Sequence, residues 1–276
     1  VKERIFSFSS SSSIAGRDLR ISFCIVFINI TPPGSQVIAL PFNIIIKHET
    51  FRLSLRRRPK ACYNFIKIIP EREMTRIMRK SSYALVVVDL QLDFCPGGNL
   101  GVPEGNSIIP VINRITDLFE TLGLPVFFSR DQHPEGHMSF APQGGTWPPH
   151  CVKGTEGAEL HPDLHIPAKA NMINKAMEAD KDAYSAFDGT DLAEILKKNR
   201  STTIVVCGLA TDYCVKATAM DGIAEGFEVI VITDAIKGVN VAEGDSEKAL
   251  EEMKRAGITL YSSRKFIDSI EMNNIV

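Results

Sequence analysis

The sequence predicts an α/β protein: a three-layer α/β/α domain around a mostly parallel six-stranded sheet, preceded by an N-terminal extension without stable order. Three observations lead there. From Tyr83 onward, short apolar runs alternate with helical stretches, the pattern of βα units. The runs are continuous rather than alternating, as expected of strands buried on both faces of a parallel sheet. Residues 1–82 show neither period, and their charge differs in sign.

The 276 residues carry 31 Lys and Arg against 33 Asp and Glu, a net charge of −2. That balance conceals two pieces. Residues 1–82 hold 15 basic and 5 acidic residues, net +10, and residues 83–276 hold 16 and 28, net −12. The basic piece contains Ser9–Ser13, Pro32-Pro33-Gly34 and Arg56-Arg57-Arg58. Its serine-rich, arginine-rich, acid-poor composition suits a disordered leader, an over-extended reading frame (the chain opens on Val1) or, ranked below these, a transit peptide. A nucleic-acid surface ranks last. Six cysteines without a C-x-x-C pair are too few for a disulfide scaffold and suit a reducing compartment, the cytoplasm. No apolar run is long enough for a membrane-spanning helix.

The first strand is Ala84–Val88, and a helix follows over Ser107–Leu122, closed by Gly123. Pro125–Phe128 is the second strand and Asn171–Asn174 a weaker third. A helix at Thr190–Lys197 precedes the fourth strand, Thr203–Cys207. A helix at Asp212–Glu225, closed by Gly226, leads to the fifth, Glu228–Ile232. The helix Glu243–Ala256, closed by Gly257, leads to the sixth, Ile258–Leu260.

In such sheets ligands bind beyond the carboxyl ends of the strands. Those ends carry Asp89, then Asp131 with His133, then Lys175, then the segment Gly208–Cys214, then Asp234. Cys214 begins a helix, whose free N–H groups favour a thiolate and suit an oxyanion. Lys175 is expected to lower the thiol pKa further, and Asp89 to accept and return its proton. Asp131-x-His133 places two donors on one side of an extended segment. With His150 they suit Zn²⁺, Fe²⁺ or Mn²⁺. His137 is expected to support the loop, Asp93 to cap a turn, and Cys207 to be inert core. Phe94, Trp147 and Tyr184 are candidate walls for a planar ring, while Phe187 is expected to pack.

The segments Val87–Phe94 with Pro96-Gly97-Gly98, Arg130–Pro134, Trp147–Cys151, Asn174-Lys175-Ala176, Tyr184–Phe187 and Gly208–Val215 together resemble the nicotinamidases of the isochorismatase-like cysteine hydrolase superfamily. The resemblance covers Ala84 to Leu260 and implies the fold of that superfamily. It implies hydrolysis of nicotinamide to nicotinate and ammonia through a cysteine thioester, with pyrazinamide as a side substrate, in NAD salvage. It places the triad on Asp89, Lys175 and Cys214, and one divalent metal, zinc first and iron or manganese next, on Asp131, His133 and His150. Water and the pyridine nitrogen complete the metal's positions, and Phe94 and Trp147 hold the ring. A cis peptide before Ala210 lets the N–H groups of Ala210 and Cys214 bind the oxyanion. The partner implied is a small molecule rather than nucleic acid or membrane, with homo-oligomerisation left open. Competing readings are an isochorismatase or other small-amide hydrolase, and a non-haem iron oxygenase using the Asp/His/His set.

Overall fold

The structure is a computed structural model that describes residues 4–14, 17–27 and 83–273. In the N-terminal stretch, β1 (Arg4–Ile14) and β2 (Arg17–Phe27) pair antiparallel. The remainder of the leader expected over residues 1–82 lies outside the described residues.

From Tyr83 the chain builds one six-stranded sheet. Its strands are β3 (Tyr83–Val88), β4 (Val126–Asp131), β5 (Asn171–Lys175), β6 (Thr203–Leu209), β7 (Glu228–Lys237) and β8 (Thr259–Tyr261). They lie in the order β5-β4-β3-β6-β7-β8, and every pairing is parallel. The apolar runs are continuous because both faces are covered. Leu85 and Val87 enter one core with α1 (Ile109–Thr121) and α5 (Ser263–Asn273). Ala84, Val86 and Val88 enter the other, with α2 (Leu192–Lys198), α3 (Lys216–Ala224) and α4 (Asp245–Arg255). The three layers expected from the sequence are present.

Helix α1 buries Ile109, Ile112, Ile115 and Phe119, the spacing of one helical face, and Gly123 just after it has φ 66°. Two expectations change. β7 runs on to Lys237, so Asp234 lies inside the strand. There it receives Ser263 N at 2.6 Å and Ser263 Oγ at 2.6 Å and starts α5, a helix the sequence pattern did not reveal. The helix expected over Asp212–Glu225 is also divided: Thr211–Val215 is a π-helical turn, and α3 begins only at Lys216. Val215 N bonds Ala210 O at 3.0 Å, the i→i−5 reach that widens the turn. No described helix is long and apolar enough to cross a membrane.

Gly208, where β6 passes β3, has φ 115°, and a Cβ there would collide with the carbonyl of Val88. Neither backbone can yield without breaking the ladder. Gly208→Ala is therefore expected to destabilise the domain by roughly 3 kcal/mol, read as a lower midpoint in denaturant titration. An unchanged midpoint would contradict this account of the strand crossing.

Candidate active site

The carboxyl ends of four neighbouring strands bring the site together. β3 ends one residue before Asp89, which is fully buried with φ 47°. Such a left-handed turn is unusual for a non-glycine residue and lets the side chain turn back over the sheet. Asp131 is the last residue of β4 and Lys175 the last of β5, paired in register. Cys214 sits on the turn after β6.

Lys175 is 1% exposed, and its ammonium joins these groups. Nζ lies 2.6 Å from Asp131 Oδ1, 3.0 Å from Asp89 Oδ2, 3.0 Å from Ala183 O and 3.7 Å from Cys214 Sγ. Burial alone would strip its charge, but Asp131 and Asp89 outweigh that and hold its pKa well above the ordinary lysine value. Asp89 Oδ1 accepts the Ser129 hydroxyl at 2.7 Å. Its Oδ2 faces the Lys175 ammonium at 3.0 Å and has no other donor among the described residues. A carboxylate oxygen of Asp89 is within 4.8 Å of Sγ.

The expected low thiol pKa is not what this environment produces. Burial drives the Cys214 pKa well above the usual cysteine value; Lys175 lowers it, while Asp89 and Asp131 raise it again. Burial likewise raises Asp89, against the pull of Lys175. The resting pair is a neutral thiol beside a carboxylate made more basic than usual, suited to proton transfer on demand.

A second group adjoins the first through Asp131. Its carboxylate, His133 and His150 bring three donor atoms within 4.8 Å of one another, all buried. His133 Nδ1 donates to Ala176 O at 3.2 Å and His150 Nδ1 to Pro148 O at 2.7 Å. Carbonyls only accept, so each Nδ1 carries the proton and each Nε2 presents a lone pair. Burial, then neighbouring His150 and His137, push the His133 pKa down to about 3, which keeps the ring neutral as metal ligation needs. Hydrogen-bonded histidines of this kind are pre-oriented ligands, and the donor set fits a divalent ion. Asp89, Asp131 and Cys214 also converge, but the Lys175 ammonium stands among them as their cation, where a metal ion would otherwise sit. His137 spends both ring nitrogens, on Ser139 Oγ at 2.8 Å and Lys181 O at 3.0 Å, so it supports the loop as expected.

The cavity over these groups is lined by Phe94, Trp147, Tyr184 and Tyr213 together with Ala210 and Cys214. Trp147 Nε1 donates to Tyr184 OH at 3.2 Å and meets the Tyr213 ring edge-on at 5.3 Å between centroids. Phe187 instead stacks on Phe227. Tyr213 was missed from sequence, though its position beside Cys214 on one turn pointed to it. The peptide between Leu209 and Ala210 is cis. Asp93 does more than cap a turn: it accepts Asn99 N at 3.1 Å and, from beneath the His150 loop, Cys151 N at 2.7 Å.

A doubly covered parallel sheet thus gathers a thiol, a carboxylate and an ammonium at its strand ends. The isochorismatase domain matches residues 83–265; the chain belongs to that family and is a hydrolase acting on an amide. Escherichia coli K12 nicotinamidase is 44% identical over 200 residues, covering 65% of this chain and 94% of the relative. The Pyrococcus horikoshii pyrazinamidase, solved in complex with zinc, is 50% identical with a TM-score of 0.63, covering 66% of this chain and 99% of that one. A protein from L. infantum solved in complex with nicotinate is 36% identical with a TM-score of 0.63, covering 67% of this chain and 94% of that one.

Proposed function

We propose that this protein hydrolyses nicotinamide to nicotinate and ammonia, a step of NAD salvage, with Cys214 as nucleophile. One observation carries the reading. Cys214 lines the same cavity as Asp131, His133 and His150, and behind it Lys175 ties Asp89 and Cys214 to that second cluster through the 2.6 Å Asp131–Lys175 contact. The nicotinamidase and pyrazinamidase relatives support the choice of a pyridine-type carboxamide.

In this reading Asp89 takes the Cys214 proton as sulfur attacks the carboxamide carbon. Lys175 holds Asp89 ionised until then and favours the emerging thiolate. The N–H groups of Ala210 and Cys214 receive the oxyanion. As the C–N bond breaks, Asp89 returns the proton to the departing nitrogen, which leaves as ammonia. Water, deprotonated by Asp89, then attacks the thioester; nicotinate leaves and the proton returns to sulfur. Phe94, Trp147 and Tyr184 hold the ring. Asp131, His133 and His150 would hold one divalent metal, zinc first, which supplies a Lewis acid for the ring nitrogen when bound. The four described cysteines are free and buried, which supports a reducing, cytoplasmic setting.

The test is ammonia release from nicotinamide by the purified protein, matched mole for mole to nicotinate. Chelation to demonstrably metal-free protein is expected to lower the rate by about 100-fold or more, with recovery on adding zinc, iron or manganese. Full activity in metal-free protein removes the metal's role. Absence of ammonia from the metal-loaded protein removes the nicotinamidase reading and leaves another amide as substrate.

A further inference from the structure

β4 extends further than its neighbour β3. The β3–β4 register ends at Val87 opposite Phe128, and at Asp89 the backbone turns left-handed and leaves the sheet after one last bond, Asp89 N to Ser129 O at 3.2 Å. Asp131 therefore reaches the end of β4 with no strand beside it on that side. The fully buried Gln91 side chain fills the place. Its Oε1 accepts Asp131 N at 2.7 Å, and its Nε2 donates to Asp131 O at 2.8 Å and Ala158 O at 2.8 Å. A carboxamide has the same donor and acceptor pair as a peptide group, so it continues the ladder by one residue. Gln132 Nε2 also reaches Asp131 O, at 3.0 Å, but Gln91 is the described partner of Asp131 N.

Asp131 needs such a lock because it serves two neighbours. Oδ1 holds Lys175 at 2.6 Å while Oδ2 faces His133 Nε2 at 3.6 Å. A small rotation of its backbone would favour one neighbour over the other. We infer that Gln91 is a positioning residue of the metal site, its carboxamide replacing the absent strand so that Asp131 presents one oxygen to Lys175 and the other to a divalent metal. Glutamate cannot do this, because its ionised carboxylate would confront two carbonyls with no donor. The inference rests on the metal-site reading above.

The test compares wild type with Gln91→Glu and Gln91→Met, measuring zinc affinity by chelator competition and the visible spectrum of the cobalt-substituted protein. Both variants are expected to bind zinc on the order of 10–100-fold more weakly and to show shifted cobalt bands, with the metal-free proteins still folding cooperatively. A folded variant with unchanged zinc affinity and unchanged cobalt bands would overturn the inference. So would failure of both variants to fold, since the amide would then serve the fold and not the metal site. Wild type that takes up neither metal would instead remove the metal-site reading beneath it.

Discussion

Cys214→Ala is expected to abolish ammonia release from nicotinamide, a loss on the order of 10⁴-fold or more, while leaving zinc affinity close to wild type. The size of the loss follows from covalent chemistry: no other described thiol lines the cavity. Cys207, the nearest in sequence, is buried in β6, with its pKa raised by burial and its Sγ against Val86 O. The separation of the two readouts follows from Lys175. Its ammonium lies 3.7 Å from Sγ and 2.6 Å from Asp131, so removing a neutral thiol leaves Asp131 still held. Asp89→Asn is expected to match the loss, because the thiol is not ionised by its surroundings and depends on a proton acceptor. Initial rates and zinc competition on the same preparations check both. Residual activity above about 1% in Cys214→Ala would sink the nucleophile assignment.

What could be read in advance divides along physical lines. Strands and their order of burial were legible because a parallel sheet demands apolar residues on both faces, and Ala84–Val88 or Thr203–Cys207 admits little else. Asp89, Asp131, Lys175 and Cys214 were legible because topology sends strand ends to one rim. Helix α5 was not. Its buried anchor, Phe266, gains its worth only by stacking on Phe119 at 6.1 Å, a residue contributed by a distant part of the chain. Asp234 was placed at the rim because β7 was read too short; its partner Ser263 lies 29 residues away. Gln91 and Asp93 bond backbone groups 40 and 58 residues distant, and no local pattern encodes such pairings. The thiol pKa went the wrong way for a related reason. Sequence shows which charges are near Cys214 but not how deeply it is buried, and here burial dominates.

Lys175→Met is expected to be the most destabilising of the site substitutions, by about 3–5 kcal/mol in the metal-free protein, with turnover lost as well. Methionine keeps the volume and removes the charge. Asp89 and Asp131, both buried, would then face each other across an apolar side chain with no cation between them. One would have to take up a proton, at a cost set by how far its pKa must rise. The sign is fixed by linkage. The Lys175 pKa is raised in the folded state, so its stabilising contribution is fully present at neutral pH, below the unfolded lysine value, and would fade only as pH rises through the folded one. For a domain of this size the loss corresponds to a fall in melting temperature of roughly 10 °C. Adding Asp89→Asn to Lys175→Met should recover part of it by removing one stranded carboxylate, a non-additivity that a double-mutant cycle reads directly. Zinc should recover another part if Asp131 binds it, because the ion replaces the missing positive charge beside that carboxylate. A Lys175→Met protein as stable as wild type without metal would mean that the ammonium barely outweighs its own desolvation. Lys175 would then be retained for its effect on Asp89 and Cys214 and not for the fold.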